Sequence, residues 1–306
     1  MSAPEPKPTI GFVGLGRMGT PMANRLAEAG FPLYVADAAP QVVAAFIAEH
    51  PGTSVFDLSS DATLPQLDLV IVMVPDSNVV EAVLETGGLA ARLRHGALVA
   101  DMSSSEPLRT AQLAERLAAA GIRMIDAPVS GGVRGAIAGT LSTMVGGTAA
   151  DLAEARAVLE QLAATIIHVG SVGSGHAAKA LNNLVSASTV SVTVEALHTA
   201  RRFGIDPAVM TEVLNSSSGR TNTSERKVAQ FMLSGAYDSG FTLPLMAKDV
   251  TIAVNLARAL GTEGDVSDVV AQQWSGIAST TERDTDHTEM YRLIGAAAPE
   301  ESSVIS

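Results

Sequence analysis

Through the first 170 residues, short apolar runs alternate with stretches of helical period. The runs at 9–13, 33–36, 69–74, 98–101, 123–127, 141–145 and 166–169 are too short for helices and read as strands. Helical patterns lie between them, up to 29, at 41–49, from about 78, at 107–120 and at 151–162. The run LVIVMV at 69–74 has no polar face, as expected of a parallel strand covered on both sides. Strands alternating with helices predict an α/β fold with a doubly wound parallel sheet, extended by a few strands. Beyond Gly170 the strand signals cease and helical patterns follow at 207–214, 223–233, 245–260 and 265–280. The chain therefore reads as two domains, 1–170 around the sheet and 171–306 all helical.

Between them lies GSVGSGHAAKALNN, residues 170–183. Gly170, Gly173 and Gly175 break what precedes, and the chain then runs to Arg201 without proline or glycine, predicting one long helix. From Ala180 to Val194 that helix carries no charge, which predicts burial on most sides. Lys179 stands at its mouth, with Asn183 one turn on along the same face. A lysine partly removed from water holds its proton less tightly, which suits proton exchange near neutral pH. The plainer alternative is a lysine that snorkels at a helix start.

The first apolar run leads into Gly14-Leu15-Gly16-Arg17-Met18-Gly19, a helix, a second strand and Asp37. Glycines there let the backbone approach a pyrophosphate, and the helix N-terminus offers free N–H groups. An acid at this place accepts from a ribose 2′-hydroxyl, so the stretch predicts a dinucleotide site, with NAD favoured over NADP. Asp37 as a mere helix cap is the alternative. Val74-Pro75 closes the 69–74 run at the carboxyl edge of the sheet, where ligands sit. Ser130-Gly131-Gly132 presents a hydroxyl and backbone N–H groups suited to a carboxylate or an oxyanion, or is simply a tight turn. The polar stretch 215–225 reads equally as a substrate contact or a solvated loop.

Composition narrows the classes. With 47% hydrophobic and 17% charged residues the chain fills a sizeable core, and with 4% aromatics that core is aliphatic. A net charge of -12 without basic runs argues against nucleic acid and anionic membrane as partners. There is no cysteine, and the six histidines form no ligand-spaced pair, so no metal site is expected and the histidines read as ordinary. The tail MSAPEPKP is not a signal peptide, and no run offers the roughly 18 apolar residues of a span, so a cytoplasmic location is expected.

Taken together, the residues resemble the β-hydroxyacid dehydrogenase family, which includes 3-hydroxyisobutyrate dehydrogenase and tartronate semialdehyde reductase. The resemblance rests on GFVGLGRMGTPMA (11–23), DMSSSEP (101–107), DAPVSGGVRGAIAGTLSTMVGG (126–147), GSGHAAKALNN (173–183) and FTLPLMAKD (241–249). It implies a Rossmann-type domain, a long interdomain helix and an all-helical domain that makes a homodimer or homotetramer. It implies Lys179 as the acid/base, and Ser130, Gly131 and Gly132 as holders of a small substrate's carboxylate. Asn183 orients substrate, Phe241, Lys248 and Asp249 close the site, and Ser103 with Ser104 lies near the nicotinamide.

The expected activity is NAD-dependent oxidation of a small β-hydroxy acid, or the reverse reduction. Two rivals use the same scaffold. One is a semialdehyde or imine reductase using NADPH, although imine reductases typically lack the lysine. A non-catalytic cofactor-binding module would not need Ser130, Lys179, Asn183, Lys248 and Asp249 together. A 6-phosphogluconate enzyme has a larger helical domain than residues 171–306 supply.

Overall fold

The computed structural model describes residues 6–58, 64 and 66–295. Residues 1–5 of the proline-rich tail lie outside them. The chain divides into two compact units that meet at Lys179 and Ala180, inside the long helix rather than at its start.

In the first unit the order is β1 (Ile10–Val13), α1 (Gly19–Glu28), β2 (Leu33–Ala36), α2 (Pro40–Glu49), β3 (Ser54–Val55), β4 (Leu69–Val72), α3 (Ser77–Glu81), α4 (Leu89–Arg92), β5 (Leu98–Asp101), α5 (Pro107–Ala119), β6 (Arg123–Asp126), β7 (Val129–Ser130), α6 (Gly132–Ala138), β8 (Leu141–Gly146), α7 (Ala149–Leu162) and β9 (Ala163–Gly170). Strand order is β3-β2-β1-β4-β5-β6-β8-β7, with β9 beside β8. The strands from β3 to β6 are all parallel, and β8 runs against β6 and β7. Side chains alternate between two cores. Leu69 and Ile71 of β4 enter one with Ile10, Phe12, Leu98 and Ala100. Val70 and Val72 enter the other with Val13, Val99, Leu113 and Leu117. Both faces are apolar because helices cover both, and each fully buried aliphatic side chain contributes about 1.5–3 kcal/mol. The strand within the apolar run at 69–74 ends at Val72; Met73 N–H still donates to Val13 O at 2.8 Å, and Val74 N–H turns to Ser103 Oγ.

Three short elements, β3, β7 and α6, lack an apolar period that would mark them in the sequence. The strand β3 pairs only Ser54 and Val55 with β2. The 128–135 stretch is not a simple turn: Val129 and Ser130 pair with β8, and α6 follows at once. Its glycines weaken helix propensity and hid the helix.

In the second unit the chain forms α8 (Ser174–Phe203), α9 (Pro207–Ser216), α10 (Leu243–Ala259), α11 (Asp265–Ala278) and α12 (Met290–Leu293), with α8 beginning in the first unit. A wide-turn π stretch, Thr223–Leu233, replaces the expected α-helix there. Ala187, Val190, Val194 and Leu197 of α8 pack with Val228, Met232, Met246, Val250 and the fully buried Trp274. The Trp274 Nε1–H donates to Ser191 Oγ at 3.0 Å. The uncharged part of α8 is not buried all round. Leu181, Val185 and Val192 are 45%, 63% and 60% exposed, and their spacing puts them in one stripe. Among the described residues no helix is long and apolar enough to cross a membrane.

Candidate active site

The carboxyl edge of the first unit's sheet carries the glycine turn. Strand order reverses between β1 and β4, and Gly14 follows β1 while Val74 and Pro75 follow β4. Such a switch point opens a crevice for ligands. Gly14 has φ +98°, and a Cβ on it would lie 2.2 Å from the Met73 carbonyl oxygen. A Cβ on Gly19 would lie 1.8 Å from the Gly14 carbonyl oxygen, so the turn closes only with glycine at both ends. Nothing lies within 4 Å of the Cβ position on Gly16, so the middle of the turn is open. This cradle fits a pyrophosphate. Leu15, Arg17 and Met18 form the rest of the turn, and α1 starts beyond them with no side-chain cap on its N–H groups. Asp37 stands just past β2, where Oδ2 accepts from Leu15 N at 2.7 Å and Oδ1 from Ala39 N at 2.8 Å. The carboxylate is thus fixed beside the turn by two main-chain donors.

Ser103 faces inward rather than outward. Its hydroxyl is buried, accepts from Val74 N at 3.0 Å and lies 3.4 Å from the Val72 carbonyl oxygen. It ties the loop after β5 to the Val74-Pro75 loop after β4. Ser130 is partly buried at the end of β7, and Gly131 and Gly132 follow with φ +129° and +62°. Both angles lie in the region that disfavours a side chain, and this sets the backbone that leads into α6.

A buried network, missed in the sequence, anchors the start of α8. Asp126, the last residue of β6, accepts from Gly173 N and His176 N, both at 2.7 Å. Burial raises the Asp126 carboxyl from its ordinary value, against the His176 ring and the two main-chain bonds that lower it. The His176 Nε2–H donates to Ser103 O at 3.1 Å, and Nδ1 meets the Thr110 hydroxyl at 2.9 Å. The ring therefore links the serine loop to α8, three residues before Lys179. His176 is not an ordinary histidine, and only its place three residues before the lysine signalled it. Lys179 itself is 7% exposed.

In the second unit, Asn183 is buried on α8 and its Nδ2–H donates to Asp249 Oδ2 at 2.7 Å. Asp249 is buried on α10, and among the described residues its Oδ1 has no hydrogen-bond partner, with Lys248 Nζ 3.8 Å away. A buried carboxylate oxygen left unsatisfied marks a place where another donor is wanted. Phe241 precedes α10 and stands edge-on to the His287 ring, centroids 5.9 Å apart. Its carbonyl oxygen accepts from His287 N and from Nδ1–H, each at 3.0 Å. Asp286 accepts from Ser239 Oγ and Gly240 N, so the 286–287 pair clamps the segment that bears Phe241. Burial lowers the His287 ring to about 4, helped by the Lys227 charge and opposed by Asp286 and the Phe241 carbonyl. In the stretch 215–225, Thr221 and Ser224 cap each other, and Asn215 donates to Ser224 O at 3.2 Å.

A parallel sheet reversing at β1 and β4, with a glycine cradle and a fixed carboxylate at its edge, defines a dinucleotide-binding protein. Residues 9–170 match the family model described as the NAD binding domain of 6-phosphogluconate dehydrogenase. Residues 173–294 match that described as NAD-binding of NADP-dependent 3-hydroxyisobutyrate dehydrogenase. The chain is 39% identical over 258 residues to 3-hydroxyisobutyrate dehydrogenase of Pseudomonas aeruginosa, covering 82% of this chain and 86% of that one. It is 36% identical over 258 residues to 2-(hydroxymethyl)glutarate dehydrogenase of Eubacterium barkeri, covering 84% and 83%. The structure of Mycobacterium tuberculosis 3-hydroxyisobutyrate dehydrogenase with L-serine superposes with TM-score 0.85 at 30% identity, covering 94% of this chain and 99% of that one. The chain belongs to the β-hydroxyacid dehydrogenase family and is an NAD(P)-dependent oxidoreductase acting on CH–OH groups.

Proposed function

We propose that the chain oxidises, reversibly, the primary hydroxyl of a 2-substituted 3-hydroxypropanoate, with NAD as partner and Lys179 as acid/base. The observation that carries this reading is the buried run on α8, where Lys179 and Asn183 stand one turn apart and Asn183 is locked to Asp249. The substrate class follows from chemistry that the relatives' names share. 3-Hydroxyisobutyrate, L-serine and 2-(hydroxymethyl)glutarate all carry a hydroxymethyl group on the carbon beside a carboxylate. They differ only in the second substituent on that carbon.

The residues divide the work. Ser130 and the N–H groups of Gly131 and Gly132 hold the common carboxylate. Asn183 orients the reacting oxygen, and Phe241, Lys248 and Asp249 line the substituent side. Neutral Lys179 takes the hydroxyl proton in oxidation and returns it to the carbonyl in reduction. The dinucleotide, when bound, supplies the hydride acceptor. Gly14, Leu15, Gly16, Arg17, Met18 and Gly19 hold its pyrophosphate, Asp37 its ribose, and Val74, Pro75 and Ser103 shape the nicotinamide side. Support for NAD over NADP comes from Asp37. A 2′-phosphate beside that carboxylate meets like charge, and Ala38 and Ala39 offer no cation to offset it. At about 4 Å, such repulsion ranges from roughly 1 to 4 kcal/mol per charge pair. The exposed Leu181, Val185 and Val192 stripe supports a homodimer or homotetramer.

The test is a rate screen of 3-hydroxyisobutyrate, L-serine, 2-(hydroxymethyl)glutarate and 1-propanol with both nicotinamide cofactors. The expected result is turnover of hydroxy acids over 1-propanol, with NAD favoured at least about tenfold in kcat/KM. Equal rates with 1-propanol count against the carboxylate pocket, and equal rates with NADP count against the Asp37 role.

A further inference from the structure

Lys227 belongs to none of the motifs above, yet it is an unusual lysine. It lies on the π stretch Thr223–Leu233. Its ammonium donates to Ser186 Oγ at 3.0 Å. Ser186 follows Asn183 by three residues on α8, on the same face and about 4.5 Å further along the axis. So the cation is held on α8 just under one turn beyond the residue proposed to orient substrate, within the same unit.

The surroundings supply no close counter-charge. Among the described residues, Ser186 is the sole hydrogen-bond partner of Lys227, and no carboxylate lies within 4 Å of Nζ. Asp286 acts on it only from further off, and its oxygens are already taken by Ser239, Gly240 and Thr288. Burial lowers the lysine to about 8, with Asp286 opposing. Part of the side chain nevertheless stays accessible. A desolvated ammonium held by one hydroxyl costs stability unless an anion joins it. Nearby, among the described residues, His287 Nε2 is also buried without a hydrogen-bond partner.

We propose that Lys227 receives a second carboxylate, carried on the C2 substituent of the substrate, so that the chain prefers dicarboxylic 3-hydroxy acids to their uncharged analogues. The proposal rests on the substrate class given above. A charge-assisted hydrogen bond in a partly enclosed site discriminates charged from neutral ligands by about 10–100-fold.

The experiment compares three 2-substituted 3-hydroxypropanoates with NAD: carboxyethyl, its isosteric amide, and methyl. The wild type should favour the carboxyethyl acid over the amide by about 10–100-fold in kcat/KM. Lys227→Gln should bring that ratio close to one and lower the methyl compound's rate far less. In parallel, calorimetry with NAD present should show glutarate binding better than butyrate in the wild type and not in Lys227→Gln. Lys227→Met should raise the thermal midpoint, which a lysine with a purely structural role would lower. Equal turnover of acid and amide by the wild type overturns the proposal, as does an equal loss on all three compounds in Lys227→Gln. Indifference between glutarate and butyrate overturns it whatever the turnover. Inactivity on all three compounds, with glutarate still preferred, would instead overturn the dehydrogenase reading and leave the anion site standing.

Discussion

Lys179 and His287 are both buried, and burial has different consequences for each. At Lys179 the proposed task is proton exchange with the substrate hydroxyl. Lys179→Ala should lower kcat by about 10²–10⁴ while NAD affinity stays within a few-fold. Lys179→Arg should be almost as damaging, because a guanidinium does not lose its proton near neutral pH. Near-normal turnover in either folded variant would end the acid/base assignment. His287 bears on stability. Its folded value, about 4, lies below the ordinary 6.5, so the fold keeps the ring neutral. Its contribution is complete above pH 6.5 and is lost as pH falls toward 4, where the unfolded chain takes up a proton that the fold refuses. Asp126 works in the opposite direction, because burial raises it. Urea midpoints at several pH values should therefore fall less steeply below pH 6.5 in His287→Gln than in the wild type. Parallel profiles would show that the ring is not responsible.

The turn between β1 and α1 shows how an element makes a site. Its backbone passes so close to Met73 and to itself that side chains are excluded at Gly14 and Gly19. Gly14→Ala combines a strained φ, worth of order 1–3 kcal/mol, with contact against main chain that cannot move aside. The expected outcome is a lower thermal midpoint and NAD binding weakened at least about tenfold, read by fluorescence titration. Unchanged affinity would mean that the cradle is not the pyrophosphate site. This element was legible in the sequence, because strand, glycines, helix and acid follow in a local order. The 128–135 segment was only partly legible. Its candidate residues were visible, but the pairing of Ser130 with Ser142 and the start of α6 at Gly132 depend on a partner strand downstream.

At the scale of the whole molecule, α8 leaves an apolar stripe uncovered. Leu181, Val185 and Val192 share it, and no charge interrupts the helix between Ala180 and Val194. If a second copy covers it, light scattering should report a mass at least twice 31.4 kDa at micromolar concentration. Val185→Asp with Val192→Asp should shift it toward the monomer, since exposed sites tolerate such changes within the fold. A wild-type monomer would refute the assembly. The uncharged stretch suggested burial on most sides, and the stripe corrects that for the single chain.

Lys248 and Asp249 came only with the family resemblance, whereas periodicity and local order determined the α/β domain, the helices after it, the dinucleotide cradle and the candidates Ser130, Lys179 and Asn183. Each is announced by residues near one another in the chain, as a turn, a strand period or a helix face. Only the tertiary structure decided what surrounds them. Asp126 meets the turn before α8, Asn183 meets Asp249, and Lys227 meets Ser186 across separations of 47, 66 and 41 residues. The sequence carries no local mark of those meetings. Burial turned histidines that read as ordinary into anchors, and among the described residues left Lys227 without a close counter-ion. Whether a charge is solvated or stranded depends on what other segments bring to it, and that is settled when the chain packs.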